Sequence, residues 1–232
     1  MSKNHFSTRF VLIATTLIVC LITSNFFVPR LWQVAGLPLQ LSGAVLLFPV
    51  TYIFNDCVTE VYGYRKARFV LWMAFVLSAF VALMAQLVCW LPAPLKEESV
   101  PVAEAFNSLF GLVPRTTIAS LFAFFVGSTV NAWIMSRMKV ASSGKGFGWR
   151  AILSSVGGEL ADSLIFFPAV FWGVLPLAAV LQLAVSQVIA KLLYEVVALP
   201  LTAWFVNGVK CAEGIDTYDH KVSYNPFKIK DF

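Results

Sequence analysis

The stretch from Ala151 to Phe171 constrains this chain more than any other. It is about 20 residues long and mostly apolar, the length that crosses a bilayer as a helix. Yet Glu159 and Asp162 sit near its middle, three residues apart and therefore on one face of such a helix. Carboxylates at membrane depth are costly, and they normally face the interior of a bundle or a water-filled hollow. Gly157-Gly158 before them and Pro168 after them are positions where a helix can loosen or kink. A fold for this chain must therefore enclose a polar centre.

Composition supports a membrane protein. The chain has 232 residues, 59% of them hydrophobic and 12% charged, with a mean hydropathy of +0.80. A soluble domain is about 25% charged. The net charge of +5 does not point to nucleic acid, because the basic residues gather in short segments beside apolar spans, where they set topology. Cys20, Cys57, Cys89 and Cys211 are far apart and have neither metal-ligand nor disulfide-framework spacing. His5 and His220 both lie in terminal segments, which leaves no histidine for a metal site in the membrane.

Six spans are expected. The first runs from Phe10 to Phe27 and reads as a retained helix, since no small-x-small cleavage site follows it. The second runs from Leu41 to Tyr64, with Pro49 able to break it, and the third from Phe69 to Leu91 without a charge. The connection from Pro92 to Pro114 is polar, but Val102 to Leu112 reads as an amphipathic surface helix. The fourth span is Thr116 to Met138 and the fifth Ala151 to Phe171. Trp172 to Val209 is too long for one crossing, so we divide it into a surface or re-entrant piece, Leu175 to Leu183, and a sixth span, Val185 to Val209. This gives a membrane domain of residues 10–209 between tails of residues 1–9 and 210–232, the second with no evident fold. The class is an all-α membrane protein of six helices, with broken or kinked helices around a central polar cavity. Basic residues divide 13 to 3 between alternate connecting segments, with Lys191 inside the membrane. The positive-inside rule then puts both termini in the cytoplasm, as in a multi-pass protein of the inner membrane.

Six ionisable residues fall inside the spans: Asp56, Glu60, Glu159, Asp162, Lys191 and Glu195. Unpaired, at ~2.5–3.5 kcal/mol each, they would cost roughly 15–20 kcal/mol, more than the ~5–15 kcal/mol of a typical net stability. Gln187, Lys191 and Glu195 step by four and form a stripe, and Lys191 can pair with Glu195 within the helix. Four carboxylates then remain without a cation, which suits a ligand rich in N–H donors. Several of these residues also have structural readings. Glu60 and Asp56 can snorkel or pair with Arg65 or Lys66. Asn25 and Asn131 can bridge helices, and Phe48, Phe166 and the other aromatics can be packing. Gly144-Lys145-Gly146 lacks the spacing of a phosphate-binding loop, so no nucleotide cofactor is expected.

Several motifs resemble one family. Phe48-Pro49 followed by Asp56 and Glu60-Val61-Tyr62-Gly63, then Gly127 with Asn131 and Lys139, are similar to second- and fourth-helix patterns of the queuosine precursor transporter family, also called the vitamin uptake transporter family. Ser154-Ser155 through Gly158 with Asp162-Ser163 and Phe166 resemble its fifth helix. Gln187, Lys191, Glu195 and Pro200 resemble its sixth. The resemblance covers roughly residues 20 to 209, and Glu159 departs from it where an amide is expected. It implies uptake of 7-cyano-7-deazaguanine and 7-aminomethyl-7-deazaguanine. The site set it implies, with the polar positions above, is Asn25, Asn55, Asp56, Glu60, Asn131, Glu159, Asp162, Phe166, Gln187, Lys191 and Glu195. In it Asp162 or Glu159 accepts from the guanine-like edge, Asp56 stands opposite, and Lys191 donates to the ring carbonyl. The expected partners are this nucleobase-like ligand, the lipid bilayer and, for so small a bundle, a second copy in a homodimer. Two other readings are a substrate-binding subunit of an energy-coupling vitamin importer and an intramembrane protease. The first expects small residues spaced by four on the first helix, where Ala14 is followed by Ile18. The second expects a Gly-x-Gly-Asp motif, which Asp56 and Asp162 lack.

Overall fold

The computed structural model describes residues 7–27, 30–33, 40–92, 94, 96–110, 113–173, 176–220 and 222–228. His5, Leu112 and Leu175 lie outside them, as do Lys3, Lys221 and Lys230, three of the thirteen basic residues counted on one side. Seven α-helices appear among the described residues: α1 (Thr8–Phe27), α2 (Phe48–Tyr62), α3 (Tyr64–Cys89), α4 (Val100–Phe110), α5 (Val113–Ala141), α6 (Phe147–Phe171) and α7 (Leu177–Glu213). Six helical stretches, all but α4 among them, are long and apolar enough to cross a membrane.

Each span buries a narrow stripe and turns the rest outward. In α1 the buried residues are Phe10, Ile13, Leu17, Leu21 and Ser24, a three-and-four spacing that draws one line along a helix. Val11, Leu12 and Val19 on the other side are exposed, as lipid-facing residues are. In α3 the stripe includes Ala67, Leu71, Ala74 and Ser78; small side chains there let helices approach where lipid offers no hydrophobic drive to associate. The tightest approach joins α5 to α6. A Cβ on Gly158 would stand 2.8 Å from the Gly127 carbonyl oxygen and 2.8 Å from Asn131 Cβ. Gly157 and Gly158 thus serve close packing, and α6 runs unbroken through them and through Pro168.

The most enclosed helix is α2, which packs against α1, α3, α5 and α7. Twelve of its 15 residues are buried. It starts at the proline expected to interrupt the second span: Pro49 lies in the first turn, where a missing N–H leaves nothing unpaired. Before it come a 3-10 turn, Gly43–Leu46, and a two-stranded antiparallel ribbon, β1 (Leu31–Gln33) with β2 (Gln40–Ser42), pairing Trp32 with Leu41. No strand was anticipated in this chain. Gly63, at φ 87°, turns α2 directly into α3.

Two boundaries need correction. The segment divided into a re-entrant piece and a sixth span is one helix from Leu177, with 37 residues and a length of about 55 Å at 1.5 Å per residue. It outruns the ~30 Å hydrocarbon slab because its last turns continue into a polar end that holds Lys210, and Pro200 removes only one N–H from its ladder. The C-terminal segment, read as having no evident fold of its own, lies back against the bundle. Asp219 accepts from the Tyr64 N–H at 2.9 Å and from Ser136 Oγ at 2.6 Å. Arg68 donates to the Ser223 and Asn225 carbonyls, and Trp72 to the Pro226 carbonyl.

Candidate functional site

The polar residues of the spans separate into three groups along the bundle. The first surrounds Glu60, at the last turn of α2 and fully buried. Its carboxylate accepts both terminal nitrogens of Arg150 from α6, one of them at 2.9 Å, and Lys210 from α7 at 2.6 Å. Lys139 of α5 donates to the Glu60 carbonyl and reaches Asp216 at 2.5 Å, which Lys210 also meets at 2.9 Å. Asp216 lies just beyond α7. Burial pushes its carboxyl up, but hydrogen bonds from Lys139 and Lys210 outweigh that and hold it below its ordinary value. Glu60 therefore pairs, as its structural reading allowed, but with Arg150, Lys210 and Lys139 rather than with Arg65 or Lys66.

The second group is centred on Lys191. Its ammonium lies 2.6 Å from Glu159 Oε2 and 3.2 Å from Asp162 Oδ2, and 4.2 Å from the centre of the Phe48 ring. The expected pairing of Lys191 with Glu195 is not formed. On a helix a lysine four residues before a glutamate is the weaker order of the pair, and two carboxylates on one face of α6 offer more. Lys191 engages one oxygen of each carboxylate, Oε2 of Glu159 and Oδ2 of Asp162. The side chains retain some exposure, 11% for Lys191 and 8% for Asp162.

The third group runs across four helices. Asn55 Nδ2 donates to Asn131 Oδ1 at 2.8 Å, Asn131 Nδ2 to Ser155 Oγ at 3.3 Å, and Ser155 Oγ to Glu195 Oε1 at 2.6 Å. This chain of donors links α2, α5, α6 and α7 and ends on a carboxylate. Beside it, Asp56 is fully buried; the Asn131 amide stands next to its carboxylate, but no well-aligned hydrogen bond joins them.

The structure thus brings together Asn55, Asp56, Asn131 and Glu195, and separately Glu159, Asp162 and Lys191. Asn25 stands apart. It accepts from Ser120 at 2.9 Å, and Ser120 precedes Asn131 by about 16 Å along α5; it bridges α1 to α5. Phe166 is half-buried edge-on to Phe167, and Gln187 is half-buried on α7. Residues absent from the expected set are Tyr52, Ser128 and Ser155. Tyr52 precedes Asp56 by one turn, the one signal that could have found it, but an aromatic at that spacing reads equally well as core. Among the described residues no three histidine, cysteine, aspartate or glutamate side chains gather as metal ligands.

Six apolar helices with acids, amides and a lysine turned inward define a multi-pass membrane protein with a polar interior, the class that includes small-solute carriers. Comparison with known proteins narrows this. Residues 42–205 match the family described as "Putative vitamin uptake transporter", and with more than half the chain matched, the protein belongs to that family. It is also similar to a Bacillus subtilis (strain 168) protein named "Probable queuosine precursor transporter", with 24% identity over 182 residues that cover 77% of this chain and 76% of the relative. No solved structure matches.

Proposed function

We propose that this chain imports 7-cyano-7-deazaguanine and 7-aminomethyl-7-deazaguanine across the inner membrane, by secondary active or facilitated transport, with both termini in the cytoplasm. The observation that carries the reading is the group formed by Glu159, Asp162, Lys191 and Phe48. Two carboxylates share one ammonium, and each keeps an oxygen able to accept. A guanine-like edge offers N–H and NH2 hydrogens in the pattern a carboxylate accepts, and Lys191 can turn one hydrogen to the ring carbonyl. The Phe48 ring beside the ammonium supplies a flat apolar face, on which a base stacks for ~1–3 kcal/mol. The name of the Bacillus subtilis relative supports the substrate class.

Transport needs alternate opening of the two ends of the bundle. In this reading the Glu60 group ties the ends of α2, α5, α6 and α7 and closes one of them. The flanks of α2, Leu47-Pro49 and Gly63, are where it can pivot.

The test is uptake of labelled 7-cyano-7-deazaguanine into proteoliposomes by the wild type and by Asp162→Asn. The amide replaces one acceptor with a donor. Losing one charge-assisted bond of about 1.5–3 kcal/mol weakens the ligand roughly 10- to 100-fold. Unchanged uptake by a folded variant removes Asp162 from the site.

A further inference from the structure

The unpartnered polar atoms beside Asp56 are all oxygens. Tyr52 OH, Asn55 Oδ1, both Asp56 oxygens and Ser128 Oγ make no well-aligned hydrogen bond among the described residues, although Ser128 stands beside the Tyr52 hydroxyl and Asn131 beside the Asp56 carboxylate. Their four residues are 0–1% exposed. They are also close neighbours. Tyr52, Asn55 and Asp56 occupy one turn of α2. Asn55 donates to the Ser128 carbonyl at 3.3 Å and to Asn131 at 2.8 Å, which brings this turn against one turn of α5. Both amide hydrogens of Asn55 are spent in those bonds, so its Oδ1 is left as an acceptor.

Buried polar groups are normally paired, and an ionised buried carboxylate strongly so. Five oxygens gathered in one dry place without well-aligned bonds can share a common partner. A deazaguanine is too large for a spot where each of these side chains is closed off from solvent, and the Lys191 group already offers it a partly accessible edge. A bare cation is small enough. One carboxylate among neutral oxygens carries a single negative charge, which matches a monovalent ion; Ca²⁺ and Mg²⁺ sites draw on more carboxylates or keep several waters. Asp56 is the one carboxylate among the five oxygens, and the charges around them are largely spoken for: Arg150 is paired with Glu60, Lys191 with Glu159 and Asp162, and Glu195 accepts from Ser155.

We propose that Asp56, Asn55, Ser128 and Tyr52 form a sodium site and that sodium is the coupling ion of uptake. This deepens the transport reading above and rests on it for its physiological meaning. Its position explains how an ion and a solute can be linked. Asp56 lies on α2, eight residues from Phe48, which touches the Lys191 group. An ion that ties α2 to α5 therefore also fixes one wall of the solute site.

The experiment uses the full chain, first as purified protein warmed in NaCl, KCl or choline chloride at equal ionic strength. Sodium raises the melting temperature of the wild type by mass action, whereas potassium and choline do not. Ser128→Ala, which removes one hydroxyl from a packed helix, raises the half-saturating sodium concentration roughly tenfold; Asp56→Asn abolishes the shift. A sodium shift that survives in both variants, or no shift in the wild type, overturns the site. Proteoliposome uptake of 7-cyano-7-deazaguanine with sodium outside or absent then separates the two readings. Uptake that is equal without sodium, or is driven by acid pH alone with Asp56 holding a proton, overturns the ion and leaves the substrate standing. A sodium shift lost in the variants, without any deazaguanine uptake, supports the ion site and removes the substrate.

Discussion

Replacing Glu60 by Gln tests whether its group is a structural tie or part of the solute site. The wild-type group holds three cations, Lys139, Arg150 and Lys210, against two anions, Glu60 and Asp216. The glutamine leaves three cations against one anion, and its NH2 faces a guanidinium that can only donate. Glu60, Arg150 and Lys139 have side chains no more than 2% exposed, so water replaces little of the loss. Breaking one partner of such a buried pair costs about 3–5 kcal/mol. For a chain of this size 1 kcal/mol moves the melting temperature by about 2–4 °C, so the variant melts roughly 6–20 °C lower. The assay is thermal unfolding in detergent, followed by binding of 7-cyano-7-deazaguanine below the new transition. Binding falls no more than about twofold, since in the proposed reading the ligand meets Lys191 and not Glu60. A double variant with Arg150→Met loses less than the sum of the two single losses, because both remove the same interaction and are not additive. A melting temperature within about 2 °C of the wild type, or a tenfold loss of binding in a stable variant, refutes the argument.

Gly158→Ala puts a methyl group against the Gly127 carbonyl oxygen and Asn131 Cβ, both at 2.8 Å. Neither is a flexible side-chain tip, so α5 and α6 must part, at a cost of about 1–3 kcal/mol, read as a lower melting temperature. Asp216 controls acid sensitivity. Its carboxyl is held below its ordinary value of 3.8 by Lys139 and Lys210 against the opposing effect of burial. A depressed folded-state value means stability that is complete above the unfolded value and is lost as pH falls through the folded one. The difference in melting temperature between wild type and Asp216→Asn should therefore be constant above about pH 5 and close below about pH 4. A gap that widens in acid would reverse the assigned sign.

The six spans were legible because a bilayer demands about 20 apolar residues whatever the fold, and the inward direction of Asp56, Glu159 and Asp162 was legible because their spacing names a helix face. Partners were not. Lys191 lies four residues before Glu195, yet it meets Glu159 and Asp162 on another helix, 32 and 29 positions away. Glu60 meets Arg150 and Lys210 at separations of 90 and 150. Periodicity fixes which residues look inward; which inward residues meet depends on the order of helices around the bundle, and no local pattern encodes that. The end of α7 was misjudged for a related reason. Hydropathy marks where lipid stops, whereas a helix stops where its hydrogen bonds do, at Gly214 in the left-handed region. Tyr52 and Ser128 escaped because neither is charged at neutral pH, so neither carries a visible cost at membrane depth until its hydroxyl is found without a well-aligned partner.

Along α2 two acids one turn apart have opposite fates, and the cause lies in the supply of cations. Lys139, Arg150 and Lys210 stand at helix ends, among the basic residues that crowd one side of the connecting segments. Their stems reach inward only as far as the last turn of α2, so Glu60 is neutralised three times over and Asp56, about 6 Å deeper along the helix axis, by none of them directly. Lys191, the cation within the membrane, is taken by Glu159 and Asp162. In the transport reading proposed above, these helix-end charges lock one end of the bundle, while the acids beyond their reach are left for a guest. An end closed by ion pairs next to a middle that needs a charged or donor-rich guest is the arrangement in which filling the middle can compete with holding the end shut.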